Sequence, residues 1–335
     1  MKKYILGVDG GNTKTDYFLF DLEGNFIDFE RCGTCSHEGL ADSFEGSYRV
    51  MKKDLMPLLD RNNVTPGEIY SSVFGLAGVD TPYQKERLQG IIERLGFKNF
   101  EVVNDSFLGI KPISKVGVCS INGTGTSTGG IDLDGNYLQV GGIGYFTGDE
   151  AGGRWLAKRA IRQAFDSLYR FGKTTVLTDV VMKALGINDK YYFAEAISER
   201  LGKVNLHEIT LAVFDNANKG DEVCIDLLKE MADNLARSTG GCVVNLNLGD
   251  NPTVILAGSV WVKGACPVLV EEFKKKINLY TKKECNVVVL RNPPATGAII
   301  WAVELATGEY PSVEVRELIS KNVKALLDKI EGKNV

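Results

Sequence analysis

Apolar runs of strand length alternate with amphipathic stretches along the chain. Residues 4–9 and 16–21 read as strands joined by a Gly/Asn/Thr turn, and Leu22-Glu23-Gly24-Asn25 is a second turn leading into a third strand. That opening is a β-meander. An amphipathic helix over 43–60 follows, then a strand over 70–76 ending in Gly75-Leu76-Ala77-Gly78, a helix over 82–95 and a strand over 100–104 ending in Asn104-Asp105. The order βββαβαβ predicts an α/β unit, one sheet with helices packed on it. After residue 153, Leu156, Ala160, Ile161, Ala164, Phe165 and Leu168 recur at helical spacing. A last charged amphipathic helix over 312–333 keeps Val315, Leu318, Ile319, Val323, Leu326, Leu327 and Ile330 to one side, and is expected to pack back on the first domain.

Comparing the chain with itself adds a second unit. A shift of 111 residues superposes Thr13 on Thr124, Thr15 on Thr126, Asp21 on Asp132, Leu22 on Leu133, Gly24 on Gly135 and Asn25 on Asn136. In both copies an apolar strand runs into a Gly/Thr turn, and a second strand ends in an acidic residue before Gly-Asn. Two related domains are expected.

Composition narrows the function classes. The 335 residues are 44% hydrophobic and 24% charged, enough for two globular domains. A net charge of −4 and a pI near 5.5 speak against a nucleic-acid partner, which would need a basic domain or stripe. Met1-Lys2-Lys3 runs into an apolar stretch too short, and too soon interrupted by Asp9, for a signal peptide or membrane span. A cytoplasmic protein with no membrane partner is expected. Seven cysteines, an odd number, fit reduced thiols. Cys32-x-x-Cys35 could be half of a metal site, but no second such pair follows and the histidines are only His37 and His207, so a chance pairing is the reading adopted.

Two glycine-rich, hydroxyl-bearing turns carry the candidate chemistry. Gly10-Gly11-Asn12-Thr13 and Asn122-Gly123-Thr124-Gly125-Thr126 each follow a buried-looking strand, and their backbone N–H groups can approach phosphate oxygens closely. Facing each other, they would hold a polyphosphate; either turn alone reads equally as a hairpin closure.

The stretch Ile5-Leu6-Gly7-Val8-Asp9-Gly10-Gly11-Asn12-Thr13-Lys14-Thr15-Asp16 resembles the first phosphate motif of the actin, hexokinase and Hsp70 superfamily, and within it the N-acetylglucosamine kinase group and the broader BadF/BadG/BcrA/BcrD-type ATPase family. Ile121-Asn122-Gly123-Thr124-Gly125-Thr126 resembles the second phosphate motif, residues 254–261 the adenosine motif, and Pro294-Ala295-Thr296-Gly297-Ala298-Ile299-Ile300 the small-residue connecting helix. Four motifs in family order span residues 5 to 300. The resemblance implies two actin-like (ribonuclease H-like) ATPase domains around a central cleft, divided as 1–115 with helix 312–335, and 116–311.

It also implies roles. Asp9 would hold Mg²⁺, largely through water. Gly10, Gly11, Thr13, Gly123, Thr124 and Gly125 would bind the phosphates of ATP, Gly258 would let the adenosine lie close to the main chain, and Ser259 would contact the nucleotide. Asp105, ending a strand, would be the general base that orients a sugar hydroxyl and accepts its proton, although Asn104-Asp105 reads equally as a helix cap when taken alone. Asp149, in the loop Gly141-Gly142-Ile143-Gly144-Tyr145-Phe146-Thr147-Gly148-Asp149-Glu150, would bind sugar with its neighbours Ile143, Gly144 and Tyr145; a helix N-terminal charge is the other reading. Ser36 and His37 occupy the place of a family Asn-His pair that binds sugar, though a lone histidine is more often an exposed surface residue.

The implied activity is ATP-dependent phosphorylation of an amino sugar, N-acetylglucosamine first. Ile143, where the animal enzymes carry Trp, opens the site to N-acetylmuramic acid, and Ser36 in place of an amide favours glucosamine. An ATPase activator of a 2-hydroxyacyl-CoA dehydratase is the other reading; it would hold an iron–sulfur cluster through paired cysteines at a dimer interface. Homodimers are common in the family, so a second copy of the chain is a further expected partner.

Overall fold

The computed structural model describes residues 3–264 and 266–332. The chain opens with β1 (Tyr4–Gly10), β2 (Lys14–Asp21), β3 (Phe26–Gly33), α1 (Ser43–Arg61), β4 (Ser71–Leu76), α2 (Pro82–Arg94) and β5 (Phe100–Val103). This is the expected βββαβαβ order. It continues with β6 (Gly117–Asn122), β7 (Thr126–Ile131), β8 (Tyr137–Val140), α3 (Gly153–Tyr169), α4 (Leu177–Leu185), α5 (Phe193–Arg200), α6 (Leu206–Asn218) and α7 (Glu222–Asn245). Then come β9 (Thr253–Ala257), the short α8 (Ser259–Lys263), α9 (Pro267–Thr281), β10 (Asn286–Val289), α10 (Ala295–Thr307) and α11 (Val313–Ile330). Among the described residues no helix is long and apolar enough to cross a membrane.

The strands form two five-stranded sheets, β3-β2-β1-β4-β5 and β8-β7-β6-β9-β10, so both follow the order third, second, first, fourth, fifth. In the first sheet β1–β2 and β2–β3 are antiparallel, while β1–β4 and β4–β5 are parallel. The duplication extends to atomic detail in the acidic turns. The Asp21 carboxylate accepts from the backbone N–H of Asn25 at 2.8 Å and from its Nδ2 at 3.0 Å, with the main-chain bonds Asp21 N to Asn25 O at 3.1 Å and Gly24 N to Asp21 O at 3.2 Å. The same four bonds recur at Asp132, Asn136 and Gly135, at 2.8, 3.0, 3.1 and 3.2 Å. Gly24 and Gly135 both sit at positive φ, 86° and 80°, which their side chains' absence permits.

Two compact units emerge. One comprises the described residues of Met1–Cys119, Gly129–Tyr137 and Leu290–Val335, the other Ser120–Thr128 and Leu138–Val289. The expected division differs in where it puts α10, and its last residues, 333–335, lie outside those described. Burial all round α10 gave no sign of which sheet it covers. It lies on β1 and β4 of the first unit, where a Cβ built on Gly7 would come within 2.9 Å of the Ile299 main-chain nitrogen. The Ser71 hydroxyl of β4 donates to the Ala302 carbonyl at 2.6 Å.

The opposite face of that sheet carries Leu6 and Val8, which join Met51, Leu55, Leu58 and Leu59 of α1 and Leu88, Ile91 and Ile92 of α2 in one core. Period-two alternation along β1 thus divides its residues between two helical layers. Each such buried aliphatic side chain contributes about 1.5–3 kcal/mol relative to exposure. As expected, α11 returns to the first unit: Ile319, Val323 and Leu327 are buried, and the Asn322 amide donates to the Gly24 carbonyl at 3.2 Å.

One contact ties this packing to the residues that follow β5. A Cβ on Gly297 of α10 would lie 1.8 Å from the Leu108 carbonyl oxygen, inside the turn that begins at Asp105. Gly297→Ala should therefore cost about 2–4 kcal/mol in urea unfolding, as overpacked cores do. Gly90, inside α2 with nothing within 4 Å of its Cβ position, is the control. Gly90→Ala should gain about 0.5–1 kcal/mol from helix propensity; equal effects at the two sites would contradict the packing described.

Candidate active site

In the first unit the Gly10–Thr13 turn and the loop after β3 are stitched together. The Gly10 carbonyl accepts from Ala77 N at 2.7 Å, and the Gly11 carbonyl accepts the Thr34 hydroxyl at 2.9 Å. Thr34 in turn accepts from Ser36 N at 3.0 Å, and Cys35 N donates to the Thr15 hydroxyl at 3.1 Å. Ser36 and His37 are consequently 3% and 7% exposed. The surface placement expected for a lone histidine does not hold: His37 stacks on Phe44 at 4.2 Å between ring centroids, because the loop folds inward on these bonds. The Ser36 hydroxyl and His37 Nδ1 are buried without a hydrogen-bond partner among the described residues. Thr13, by contrast, is exposed at the turn.

Asp9 ends β1 opposite Asp16 of β2. Asp16 is 2% exposed and already neutralised, since Arg31 grips it through Nε at 2.6 Å and an Nη at 2.8 Å, with Lys14 at 3.4 Å. No ion pair to Asp9 is found among the described residues. Burial, followed by the charges of Asp105 and Asp16, pushes its carboxyl up to about 7. Asp105 begins the turn after β5, and burial followed by the charge of Asp80 pushes it up to about 6. Asn104 joins these acids: its Nδ2 donates to Asp80 Oδ1 at 3.0 Å while its Oδ1 accepts from Ser106 N at 3.0 Å. Asn104 is thus the capping residue, which leaves Asp105 free of the capping role that the sequence left open.

In the second unit three motifs converge on Asn122–Gly125. The start of α3 donates to the turn's carbonyls, from Gly153 N to Gly123 O at 2.8 Å and from Arg154 N to Thr124 O at 3.1 Å, and Gly152 N donates to the Asn122 side chain at 3.0 Å. A Cβ on Gly152, at φ 86°, would meet Gly125 Cα at 2.7 Å. Gly258, at φ 103°, would meet the Asn122 carbonyl oxygen at 2.5 Å. Gly258 is therefore required by its own main chain, whatever it also does for a ligand. Gly123 and Gly125 have open space around their Cβ positions, Thr124 and Ser259 are exposed, and Thr126 is turned inward onto the Ile121 carbonyl at 2.8 Å.

In the loop between β8 and α3, Asp149 bonds to its own main chain. Its Oδ1 accepts from Gly142 N at 2.7 Å and its Oδ2 from Gly144 N at 2.5 Å, so the carboxylate holds its own loop closed. Gly141, Gly142 and Gly144 all take positive φ there. Ile143 and Tyr145 are 65% and 75% exposed.

Beyond this geometry, the sequence profile of the BadF/BadG/BcrA/BcrD ATPase family matches residues 6–302. The chain belongs to that family. It is similar to an N-acetylmuramic acid/N-acetylglucosamine kinase of Clostridium acetobutylicum, 27% identical over 90% of this chain and 98% of the relative. It is also similar to an N-acetyl-D-glucosamine kinase of Dictyostelium discoideum, 25% identical over 90% and 98% of the two chains. A solved structure from Chromobacterium violaceum, provisionally assigned as an N-acetylglucosamine kinase, superposes with a TM-score of 0.63 at 20% identity, covering 91% of this chain and 99% of that one. That likeness establishes the actin-like two-domain fold.

For this member of the BadF/BadG/BcrA/BcrD ATPase family, the residues fit a magnesium ion that arrives with a nucleotide. No cluster of three metal-ligating side chains exists among the described residues, but Mg²⁺ takes one or two carboxylates and completes its shell with phosphate oxygens and water. The unpaired carboxyl of Asp9 is that kind of ligand. Sequence reasoning missed Asp80 and Gln84, and read Asn104 only as part of a helix cap. The Asn-Asp signal before a turn was visible, whereas contacts from α2 to a loop 47 residues earlier were not.

The family member's raised Asp105 carboxyl has a stability consequence. Its folded value, about 6, exceeds the ordinary 3.8, so ionisation is disfavoured in the folded state and stability falls as pH rises from about 4 to 6. Asp105→Asn removes the penalty. Urea unfolding at pH 8 should show the variant more stable by up to about 3 kcal/mol, less where water screens the half-buried carboxyl, with the gain gone by about pH 4. A variant less stable at pH 8 would contradict a half-buried carboxylate with no cationic partner among the described residues.

Proposed function

We propose that the chain transfers the γ-phosphoryl group of ATP to the 6-hydroxyl of an amino sugar, with N-acetylglucosamine the acceptor. Asp105 carries the reading. It stands at the end of β5, its backbone fixed by the Asn104 cap and by α10 beneath the following turn, and its carboxyl is tuned to about 6. A base at that value is ionised at neutral pH yet strong enough to accept a proton from an attacking hydroxyl. Phosphoryl transfer asks little more of the protein than positioning and charge stabilisation.

Other residues take supporting roles. The open N–H groups around Gly123 and Gly125, with the exposed hydroxyls of Thr13 and Thr124, bind phosphates; Gly10 and Gly11 form the other turn, and Ser259 contacts the nucleotide. Mg²⁺, held by Asp9, supplies charge neutralisation at the phosphates when bound. Ser36 and His37 offer unsatisfied polar atoms to the sugar, and Asp149 uses its remaining lone pairs for a sugar hydroxyl while it closes the loop that presents Ile143, Gly144 and Tyr145.

N-acetylmuramic acid is the second acceptor, favoured by the exposed Ile143 and by the dual name of the Clostridium acetobutylicum relative. Cluster chemistry at the Cys32–Cys35 pair is disfavoured. Cys35 is buried, at 1% exposed, so the pair does not present two thiols at a surface that a second copy of the chain could meet.

ADP release against a panel of sugars tests the proposal. kcat/KM for N-acetylglucosamine should exceed that for glucose by at least about tenfold, and Ile143→Trp should narrow the range of acceptors. Asp105→Asn should lower kcat by roughly 100- to 10,000-fold while nucleotide affinity stays nearly constant. ATP hydrolysis indifferent to every sugar would overturn the reading.

A further inference from the structure

His37 is held in one orientation. Phe44 stacks on its ring, with an interplanar angle of 12°, and Gly78 leaves so little room that a Cβ there would lie 2.8 Å from His37 Cε1. Its Nε2 lies 3.4 Å from Gln84 Nε2. Which of these two nitrogens donates follows from the other end of the Gln84 amide. Gln84 Oε1 accepts from the backbone N–H of Asp80 at 3.0 Å and from the Thr81 hydroxyl at 3.0 Å. A backbone N–H can only donate, so the amide oxygen must face Asp80 and the NH₂ group must face the imidazole. The imidazole Nε2 therefore accepts. In a neutral ring the proton then sits on Nδ1, and burial disfavours the charged ring. That Nδ1 is the atom found buried without a partner among the described residues, as is the hydroxyl of the preceding residue, Ser36.

We propose that Gln84 is a positioning residue for acceptor recognition: it fixes His37 as the Nδ1–H tautomer, so this edge of the loop donates to the acyl carbonyl oxygen of an N-acylated amino sugar and disfavours a free ammonium group. The inference rests on the amino-sugar reading and adds to it the polarity of the site. An acyl carbonyl accepts the Nδ1–H bond that the folded chain leaves unmade. The ammonium of glucosamine has only donors and would leave that N–H facing a cation.

Thr81 caps α2 by accepting from Gln84 N at 3.3 Å, and the Gln84 side-chain oxygen braces that cap, so the decisive variant must keep the oxygen and change the amide. Gln84→Glu does so. Its carboxylate still accepts from Asp80 N–H and Thr81, but it offers His37 an acceptor in place of a donor, which moves the proton of the neutral ring to Nε2 and leaves Nδ1 bare; burial disfavours the charged ring. Long-range ¹H–¹⁵N correlation reads the ring state directly, because the chain has two histidines and His207→Gln assigns the other.

The wild type should show the Nδ1–H form, and Gln84→Glu should show Nε2 protonated. The ratio of kcat/KM for N-acetylglucosamine to that for glucosamine should fall at least roughly fivefold in the variant, the scale of one buried unmade hydrogen bond. An Nε2–H wild type overturns the proposal, as does an unmoved ratio when the proton has moved; should the variant not fold, the wild-type spectrum still decides the tautomer. A wild type that phosphorylates neither sugar overturns the amino-sugar reading and the selectivity with it. That failure is distinct from a wrong tautomer, which overturns the Gln84 role while activity stands.

Discussion

Main chain packed directly on main chain, at separations that exclude a side chain, is the constraint on which the candidate residues of each unit depend. Gly297 brings α10 against the Leu108 carbonyl, Gly152 brings α3 against Gly125, and Gly258 brings the end of β9 against Asn122. Each contact fixes a turn that holds residues of the proposed function. The turn after β5 presents Asp105, and the Asn122–Gly125 turn has its carbonyls occupied by α3 and leaves room around its glycines. A Cβ at any of the three would have to displace backbone, which cannot relax as a side chain can.

The first unit then concentrates carboxylates and neutralises them selectively. Arg31 and Lys14 are committed to Asp16, while Asp9 and Asp105 have no ion pair among the described residues and have raised carboxyls. Burying charge without a partner is costly, and such sites persist where function needs them. In the proposed function, a metal ion beside Asp9 and a hydroxyl proton beside Asp105 would offset that cost, a role that a structural ion-pair network would not leave open.

Much of this was legible in the sequence, for physical reasons that vary by element. The first seven elements followed from apolar alternation and helical periodicity, and β2 alone began early, at Lys14, because its pairing with β3 extends to Gly33. The 111-residue repeat reported the acidic turns because their side-chain bonds demand Asp and Asn at fixed offsets. What escaped was long-range. The packing of α10 on the first sheet, the bonding of Asp149 to its own loop and the Gln84–His37 contact depend on which surfaces meet, and no local period encodes that. Gly258 shows the converse, a motif residue whose glycine is explained by the neighbouring strand end.

The central claim is the transfer of phosphate to the 6-hydroxyl of an N-acetylated amino sugar. The most direct measurement is ³¹P–¹H correlation on the product formed from ATP and N-acetylglucosamine. The account predicts a phosphorus nucleus coupled to the two protons on carbon 6; coupling to the anomeric proton, or inorganic phosphate as the sole new phosphorus species besides ADP, would contradict it.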